Sequence, residues 1–465
     1  MHTPSKLVQA LLAAAALPIV TLSALAADVS IADFGALKDG KTVNTAAIQA
    51  AVDACAAGGG GTVLVPPGIW VSGGIELKSH VTLRLEPGAV LRGSSKLSDY
   101  PPKPFKHPEM GETRSLLWAI GRSDVSITGE GAIELTDRPF FDWNRLRTGL
   151  PADEDALLQD WQRAQCVVTA LARPTQPIFF HECMHLRLEG VTIRNSPCWT
   201  VTFSCSRDIQ VRGVRVENNF QVPNNDGMHF SGSRNIVVSD CIIRGGDDAL
   251  AFTGITNPDS VCENIVVNNC ILTSRSAGVR LGHLSGKVRD VTLTNLVIRD
   301  SGRGFAIQAG DHGWVENVEI SNVVVETRMF AGAWWGKGEP LVISAANSET
   351  AHIRGITISH LRARAENGIL IVGQNHNVED VTLDDVSLEL GGSANSPLYG
   401  RMLDLAPAPL RPSLLSAGRM PWLYADDVSR LTLDNIVFRL RDGGKQAYVL
   451  DPVIRNVSGL RSQGG

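Results

Sequence analysis

The chain lacks several patterns that would narrow its function at once. Its 465 residues carry 43 Lys and Arg against 48 Asp and Glu, for a formal net charge of −5, and no basic run interrupts the sequence. That mild balance gives no indication of a nucleic-acid partner. None of the eight cysteines forms a CxxC pair. Buried free thiols and disulfides are therefore equally good expectations.

Long apolar runs are also missing, except at the beginning of the chain. The first 27 residues combine a short basic start, "MHTPSK", with the apolar stretch "LVQALLAAAALPIVTLSALA" and small residues at Ala24-Leu25-Ala26. This pattern predicts a signal peptide over residues 1–27, and its alanine-rich, cleavable end argues against a membrane anchor. We expect an exported protein, periplasmic or extracellular, with no membrane association after cleavage. Its oligomeric state is not predicted.

Helical periodicity is nearly absent, and a strand repeat takes its place. Each repeat carries two short alternating apolar runs around a corner of Asn, Asp or Gly, which is strand and turn chemistry. The first seven repeats begin 23, 27, 29, 26, 27 and 38 residues apart. The repeats begin at His185, Asp208, Asn235, Asn264, Asp290, Asn317, Gly355, Asp380 and Arg430.

Repeats of this length without helices predict an all-β, right-handed parallel β-helix, in which successive coils stack their strands. Leucine-rich repeats have a similar period, but their Leu/Asn consensus and helical half are absent here. A β-propeller would need longer blades built from antiparallel hairpins. We therefore expect a single catalytic β-helix domain over residues 28–465.

One helix and two insertions interrupt the strand pattern. The segment "NTAAIQAAVDACAAGGGG" follows Asn44 as a cap, places Ile48, Val52 and Cys55 on one face, and ends in glycines. Such a helix could cover the open end of the solenoid. Residues 100–177 and 393–422 break the rhythm and predict long loops, which in solenoids commonly shape a binding face.

Three aspartates are placed close to one repeat length apart. Asp226 precedes Asp247 by 21 residues and Asp248 by 22, so stacking would bring them onto strands about 4.8 Å apart. Asp247 and Asp248 can reach one cleft only if the chain bends, which Gly245-Gly246 permits. Carboxyls packed this closely repel one another, and one should stay protonated near neutral pH. A protonated acid beside ionised bases is what hydrolysis of a glycosidic bond requires.

These residues resemble the signatures of a known enzyme family. "NND" followed one coil later by "GGDDALAF" is similar to the N-T-D and D-D motifs of polygalacturonase-like enzymes, glycoside hydrolase family 28, and residues 29–94 look typical of bacterial members. The resemblance implies that Asp247 is the general acid and that Asp226 and Asp248 activate a water. It implies that Asn224 hydrogen-bonds within the site. It also implies inversion, which agrees with carboxyls spaced to admit a water.

Two other motifs of that family are altered in this chain. Ala277 stands where the family has the histidine of Gly-His-Gly, and His283 follows on the next turn. Ala306, Ile307 and Gln308 stand where the family has the Arg-Ile-Lys that binds the substrate's uronate. A carboxylate prefers a fixed cation. The sugar is therefore not predicted, although a pectin-like substrate is the leading expectation.

Several other side chains are candidates for substrate binding. Arg280, Arg303 and Lys337 could replace the missing cations, and Gln308 could offer an amide. His229 alternates with Gly227 after Asp226 and could point the same way. The adjacent rings of Trp334 and Trp335 lie in a glycine-flanked segment and could stack on a sugar. Each of these residues could equally serve packing or the surface.

The segment "HECMH" matches the zinc-protease pattern H-E-x-x-H. That motif needs a helix to bring both histidines to one face. Here it leads into a strand, where His181 and His185 would lie about 13 Å apart. We predict no metal and no cofactor.

The sequence thus predicts an exported glycosidase acting on a polysaccharide or oligosaccharide. A polysaccharide lyase or epimerase on the same scaffold is the first alternative. Such an enzyme needs a base beside a neutralised uronate instead of a paired acid and base. A non-catalytic carbohydrate-binding solenoid is the second.

Overall fold

The computed structural model describes residues 28–150, 152–254, 259–346, 348–395, 404–405, 408–409, 420–441 and 448–463. The predicted signal peptide and most of the insertion at 393–422 lie outside these residues. In the described part of the chain, no helix is long and apolar enough to cross a membrane.

Parallel strands stack in three ladders, and the coil is right-handed, so the predicted fold class is confirmed. The first ladder contains Val29–Ser30, Gly61–Val65, Val81–Leu85, Ser123–Gly129, Met184–Glu189, Arg207–Arg212, Arg234–Ser239 and Val261–Asn268. The second contains Asp39–Val43, Gly68–Ser72, Ala89–Gly93, Ala132–Glu134, Thr192–Arg194, Arg215–Glu217, Ile242–Gly245 and Ile271–Ser274. Five long strands then run through both ladders, namely Gly286–Ser301, Gly313–Thr327, His352–Ala365, Val378–Leu390 and Leu423–Leu440.

The third ladder lies on the remaining side of the coil. It contains Ile75–Glu76, Leu117–Ile120, Ile178–His181, Val201–Ser204, Met228–Ser231, Leu250–Thr253, Ala277–Leu281, Arg303–Gln308, Glu339–Ser344 and Ile369–Val372. The strands Val453–Ser458 and Arg461–Gln463 pair with the last long strand. Eight short strands pair outside the ladders: Lys106–His107, Gly111–Glu112, Phe141–Arg147, Val167–Ala170, Asp404–Leu405, Ala408–Pro409, Met420–Pro421 and Tyr448–Val449.

Inward side chains form continuous apolar rows because identical register repeats from coil to coil. Leu188, Val211 and Val238 are direct partners in the first ladder and are buried. In the third ladder, Phe180, Phe203, Phe230 and Phe252 stack with ring centroids 5.3, 5.0 and 4.9 Å apart. Each coil buries its apolar face only against its neighbours, as expected for a solenoid.

The corners explain the repeated Asn and Asp residues. All nine predicted repeats begin on a residue with positive φ, between 54° and 65°. Asn and Asp tolerate this left-handed conformation better than most residues. Their side chains also bond from coil to coil: Asn264 Nδ2 donates to Asn235 Oδ1 at 2.9 Å, and Asn235 Nδ2 donates to Asp208 Oδ1 at 2.8 Å.

The N-terminal helix spans Thr45–Ala57 and buries Ile48, Ala51, Val52 and Cys55, so the predicted capping helix is confirmed. Asn44 does not cap it with its side chain. Its amide instead accepts from the Leu37 N–H at 2.7 Å and donates to the Leu37 carbonyl at 2.9 Å, tying the preceding loop to the helix.

The segment 100–177 is more ordered than a loop. Residues 117–134 form a complete coil, which the sequence rhythm did not reveal. On either side lie two antiparallel strand pairs, Lys106–His107 with Gly111–Glu112 and Phe141–Arg147 with Val167–Ala170. The short helices in the described ranges are Ile31–Phe34, Leu97–Asp99, Arg138–Phe140, Ala152–Asp155 and Asp160–Arg163.

None of the eight cysteines is in a disulfide; Cys205 is exposed, and the other seven are buried. They fill the interior as small apolar side chains. The "HECMH" segment lies on strands: His181 ends Ile178–His181, and His185 belongs to Met184–Glu189.

Candidate active site

A cavity of about 280 Å³ lies at the corner that leads into the third ladder, where the three aspartates meet. Nine of the twelve candidate residues line it. They are Asn224, Asp226, Asp247, Asp248, Arg280, His283, Arg303, Gln308 and Trp335.

Parallel register places Asp226 and Asp248 one above the other. Each stands two residues before a strand of the third ladder, Met228–Ser231 or Leu250–Thr253, and the first residues of those strands pair. The Gly227 N–H donates to the Asp248 carbonyl at 2.9 Å and fixes this stacking. The spacing of 22 residues is therefore one coil.

Asp247 and Asp248 reach the same cavity because the chain turns there. The second-ladder strand Ile242–Gly245 ends just before them. A Cβ at Gly246 would lie 2.4 Å from the Val222 carbonyl oxygen, and its N–H donates to Asn225 Oδ1 at 2.6 Å. Glycine is thus needed at 246 for close packing against the loop before Asp226, not for a positive φ.

Asp248 is held by donors on three sides. Its Oδ1 accepts from Ser276 Oγ at 2.8 Å and from the Ala277 N–H at 3.0 Å. Its Oδ2 pairs with Arg280 Nε, and Arg280 Nη2 lies 4.0 Å from Asp226 Oδ2. Charge-assisted bonds of this kind stabilise an ionised carboxylate.

Asp247 and Asp226 differ from Asp248 in lacking such a cation partner at close range. Burial, together with the neighbouring Asp248, raises the pKa of Asp247 to about 8, although Arg280 opposes the shift. Burial and the charges of Asp247 and Asp248 also raise the pKa of Asp226 well above its usual range. The cavity therefore retains a carboxyl proton near neutral pH.

One oxygen of Asp226 has no protein partner. Oδ1 is buried without a hydrogen bond, whereas Oδ2 lies 3.2 Å from His229 Nδ1. An unpaired buried acceptor of this kind is available to a substrate hydroxyl or to a water.

His229 lies beneath the cavity and does not line it. Its ring is buried and stacks on Trp199 with centroids 3.7 Å apart. Its Nε2 forms a hydrogen bond of 3.2 Å with Thr253 Oγ1. Burial and the nearby Arg280 hold the pKa of His229 well below its usual range, so its contact with Asp226 is a hydrogen bond of a neutral ring. His229 thus contacts Asp226 from outside the cavity lining.

Arg280 belongs to a row of otherwise small or neutral side chains. Along the third ladder it pairs with Ala251 on one side and Ala306 on the other, and these methyl groups leave space for its guanidinium. Burial lowers its pKa, but Asp248, Glu109 and Asp226 outweigh this effect and leave it above the ordinary value.

The remaining predicted residues divide into cavity and support. Asn224 Oδ1 accepts from Arg173 Nη2 at 3.1 Å, and Arg303 Nε lies 3.5 Å from Glu339 Oε2. Trp335 contributes to the lining.

Trp334 and Lys337 lie outside the lining. Trp334 is buried against Val167 and Phe330, and its Nε1 donates to the Gln165 carbonyl at 2.7 Å. Lys337 is buried, and its Nζ donates to the Trp334 carbonyl at 3.3 Å. Both stabilise the segment that carries Trp335.

Four lining residues were missed by sequence reasoning: Glu109, Met110, Trp199 and Ser276. Glu109 comes from the turn of the hairpin Lys106–His107 and Gly111–Glu112, far from the repeat that carries the aspartates. Its Oε1 lies 3.7 Å from His283 Nε2. Burial raises the pKa of Glu109 despite Arg280 and lowers that of His283 to about 3. Only Trp199 had a usable signal, because it stands one coil before Asp226.

Among the described residues, Asp226, Asp247 and Asp248 are the group in which three ligand atoms approach within 4.8 Å of one another. Three carboxylate oxygens suit a hard divalent cation. Arg280 already supplies positive charge to two of them.

Residues 154–399 match the model of the family described as glycosyl hydrolases family 28. The chain belongs to this family. A second model, described as rhamnogalacturonase A/epimerase, pectate lyase-like, matches residues 29–94.

Two curated relatives have sequences similar to this chain. The chain is 28% identical over 345 residues to a probable polygalacturonase of Vitis vinifera, covering 70% of this chain and 65% of that protein. It is 28% identical over 334 residues to an exo-poly-alpha-D-galacturonosidase of Dickeya chrysanthemi, covering 63% of this chain and 55% of that protein. The chain thus spans less than two thirds of either relative.

Solved structures show the shared fold. The family 28 exopolygalacturonase of Yersinia enterocolitica superposes with a TM-score of 0.65 at 19% identity, over 94% of this chain and 79% of that one. A hyperthermoactive exopolygalacturonase of Thermotoga maritima gives 0.64 at 22% identity, over 79% and 87%.

The two motif positions that are altered in this chain lie close to a cation of the cavity. Ala277 and Ala306, at two altered motif positions, stand on the strands Ala277–Leu281 and Arg303–Gln308 and line or border the cavity. Arg280 stands directly beside Ala306, one coil earlier.

Proposed function

We propose that the protein is an exported glycoside hydrolase that cleaves a glycosidic bond in a pectin-like polysaccharide or oligosaccharide. The observation that carries this proposal is the buried carboxyl cluster, in which one acid is paired with Arg280 and two have raised pKa values. Membership of family 28 supports the same chemistry.

The proposed roles rest on the family, and the surroundings of each acid are compatible with them. Asp247 holds its proton to about pH 8 and donates it to the oxygen of the departing sugar. Asp226 and Asp248 orient the attacking water, and the free oxygen Oδ1 of Asp226 offers it an acceptor. Arg280, which pairs with Asp248 and lies 4.0 Å from Asp226, counters the negative charge that develops in the cluster as Asp247 loses its proton.

We propose that the reaction inverts the anomeric carbon, and this point rests on the family. One oxygen from each aspartate lies within 4.8 Å of the others. Typical inverting pairs stand about 6.5–9.5 Å apart, so this close approach of the oxygens does not itself support inversion. Proton NMR of the first product formed decides between inversion and retention. Inversion releases a sugar whose anomeric configuration is opposite to that of the cleaved bond.

Asp247→Asn tests the catalytic assignment. The purified protein and this variant are incubated with pectic and non-pectic glycans, and released sugars are analysed. We expect the variant to lose about 10²- to 10⁴-fold in rate, since an amide cannot donate the required proton. Asp240→Asn, an exposed acid one coil corner away, is the matched control and should retain activity.

Other outcomes identify the alternatives. Absorbance from an unsaturated uronide would indicate a lyase. Binding without turnover across the panel would indicate a carbohydrate-binding solenoid. Equal rates for wild type and Asp247→Asn would contradict the assignment of the acid.

Export is also part of the proposal. Residues 1–27 would be removed, and N-terminal sequencing of protein recovered from the periplasm or medium checks this. A mature protein that retains Met1 would contradict it.

A further inference from the structure

The titratable side chains that line the cavity are mostly acids. Glu109, Asp226, Asp247 and Asp248 contribute four carboxyl groups, against two guanidinium groups from Arg280 and Arg303. The remaining titratable lining residue, His283, has a pKa lowered to about 3 and is neutral at physiological pH.

Arg280 is already engaged by protein carboxylates. Its Nε pairs with Asp248 and its Nη2 faces Asp226 at 4.0 Å, while Glu109 adds a third nearby acid. Nη1 is buried without a hydrogen-bond partner, whereas Nη2 faces the Asp226 carboxyl from beyond hydrogen-bond distance. A carboxylate is bound best by two parallel N–H groups, whereas one N–H suits a hydroxyl or a ring oxygen.

Arg303 is balanced in a similar way. Its Nε lies 3.5 Å from Glu339 Oε2, and both side chains are buried, at 3% and 0% exposure. The positive charge of Arg303 is therefore matched by a carboxylate of the next coil, Glu339, which is its direct strand partner.

The rest of the third-ladder lining is uncharged. Ala306 and Gln308 follow Arg303 on the same strand and present a methyl group and an amide. A substrate carboxylate would leave water for a cavity whose two cations already face protein carboxylates, Arg280 with Asp248 and Arg303 with Glu339. Burying such a charge without a cation of its own costs free energy.

We propose that the sugar bound in this cavity, beside the bond that is cleaved, is neutral and carries no carboxylate. This inference rests on the proposed glycosidase function and names the substrate class of that site. Arg280 acts as an internal counter-ion of the catalytic aspartates and gives its remaining N–H to a sugar oxygen. Uronates elsewhere along the chain of the substrate are compatible with this arrangement.

A matched pair of substrates tests the proposal. A galacturonic acid oligomer is compared with its carboxyl-reduced form, which has the same linkage and length and differs only in charge. We expect kcat/KM to be at least about tenfold higher for the reduced oligomer. This ratio corresponds to a free-energy difference of about 1.4 kcal/mol between the two oligomers. A preference for the acidic oligomer would overturn the proposal.

Binding to Asp247→Asn, measured by titration calorimetry with the same pair, gives a readout that does not need turnover. Tighter binding of the reduced oligomer supports a neutral subsite, and tighter binding of the acidic one overturns it. If another glycan of the panel is the one cleaved, the sugar beside the broken bond tests the proposal in the same way: a neutral sugar supports it, and a uronate overturns it. A protein that neither binds nor cleaves any glycan would overturn the glycosidase function and this inference with it.

A charge-addition variant tests the physical cause. Ala306→Arg with Gln308→Lys places two cations in the lining, and we expect it to shift the preference at least about tenfold toward the acidic oligomer. The control adds the same charge outside the cavity through Val266→Lys with Val324→Arg, at residues 39% and 53% exposed. An equal shift in both variants would contradict a local effect, and the wild-type comparison stands even if the first variant does not fold.

Discussion

Three aspartates of the same chemical type occupy different surroundings in this cavity. Asp248 is fixed by Arg280, Ser276 and the Ala277 N–H, whereas Asp247 is buried with a raised pKa. Asp226 leaves one oxygen unpaired. Environment, rather than residue type, thus gives the three carboxyls different partners, and we propose that it also gives them different roles.

The raised pKa of Asp247 predicts how stability depends on pH. The folded protein holds this proton to about pH 8, against 3.8 for the ordinary side chain. The stability that the proton contributes is therefore complete below about pH 4 and is lost as pH rises through about 8. Asp247→Asn cannot titrate, so wild type should lose stability relative to this variant across that window.

Urea unfolding at pH 4.5, 6, 7.5 and 9 measures this difference. Asp240→Asn, at an exposed corner, should follow wild type at every pH. Parallel curves for wild type and Asp247→Asn would contradict the pKa assignment.

At the scale of the element, each corner depends on a residue that accepts the left-handed conformation. Asn264 has φ 57° and donates to Asn235 Oδ1 at 2.9 Å. The corner therefore uses both the backbone tolerance of asparagine and its side-chain amide. Similar bonds join Asn235 to Asp208 and Asn317 to Asp290.

Asn264→Val should lower the free energy of unfolding by about 1–3 kcal/mol, because a β-branched residue is strained at positive φ. Asn264→Gly should cost less, since glycine adopts this conformation freely and only the hydrogen bond of the side-chain amide is lost. Denaturant unfolding of both variants measures the order. A valine variant as stable as the glycine variant would show that the corner is not strained.

At the scale of the whole molecule, the solenoid has an end that must be covered. The helix Thr45–Ala57 packs Ile48, Ala51 and Val52 onto the first coils, all at 0% exposure. Without this cover, backbone groups and apolar rows at the end of the coil would be open to other chains.

Val52→Glu should lower the unfolding temperature and promote association, because it buries an unpaired charge and loosens the helix. Ala54→Glu adds the same charge on the exposed face of the same helix and is the control. Thermal unfolding and light scattering compare them. Equal behaviour of the two variants would show that the helix does not protect the end.

The sequence by itself determined the repeat, the strand periodicity, the corner residues, the helix and the three spaced aspartates. These features are local or periodic, so they can be read without knowing which segments touch. The complete coil at 117–134 was not predicted, because it stands between two insertions that break the period.

Only the tertiary structure decided how the charges of the cavity balance. Register puts Arg280 between Ala251 and Ala306, while a hairpin far away in the chain brings Glu109 to the same cavity. It also placed His229 and Trp334 in buried positions outside the cavity lining, which their sequence positions did not indicate. The physical reason is that pKa values and pairing depend on distance and burial, which residues separated by many coils acquire only when the chain is wound.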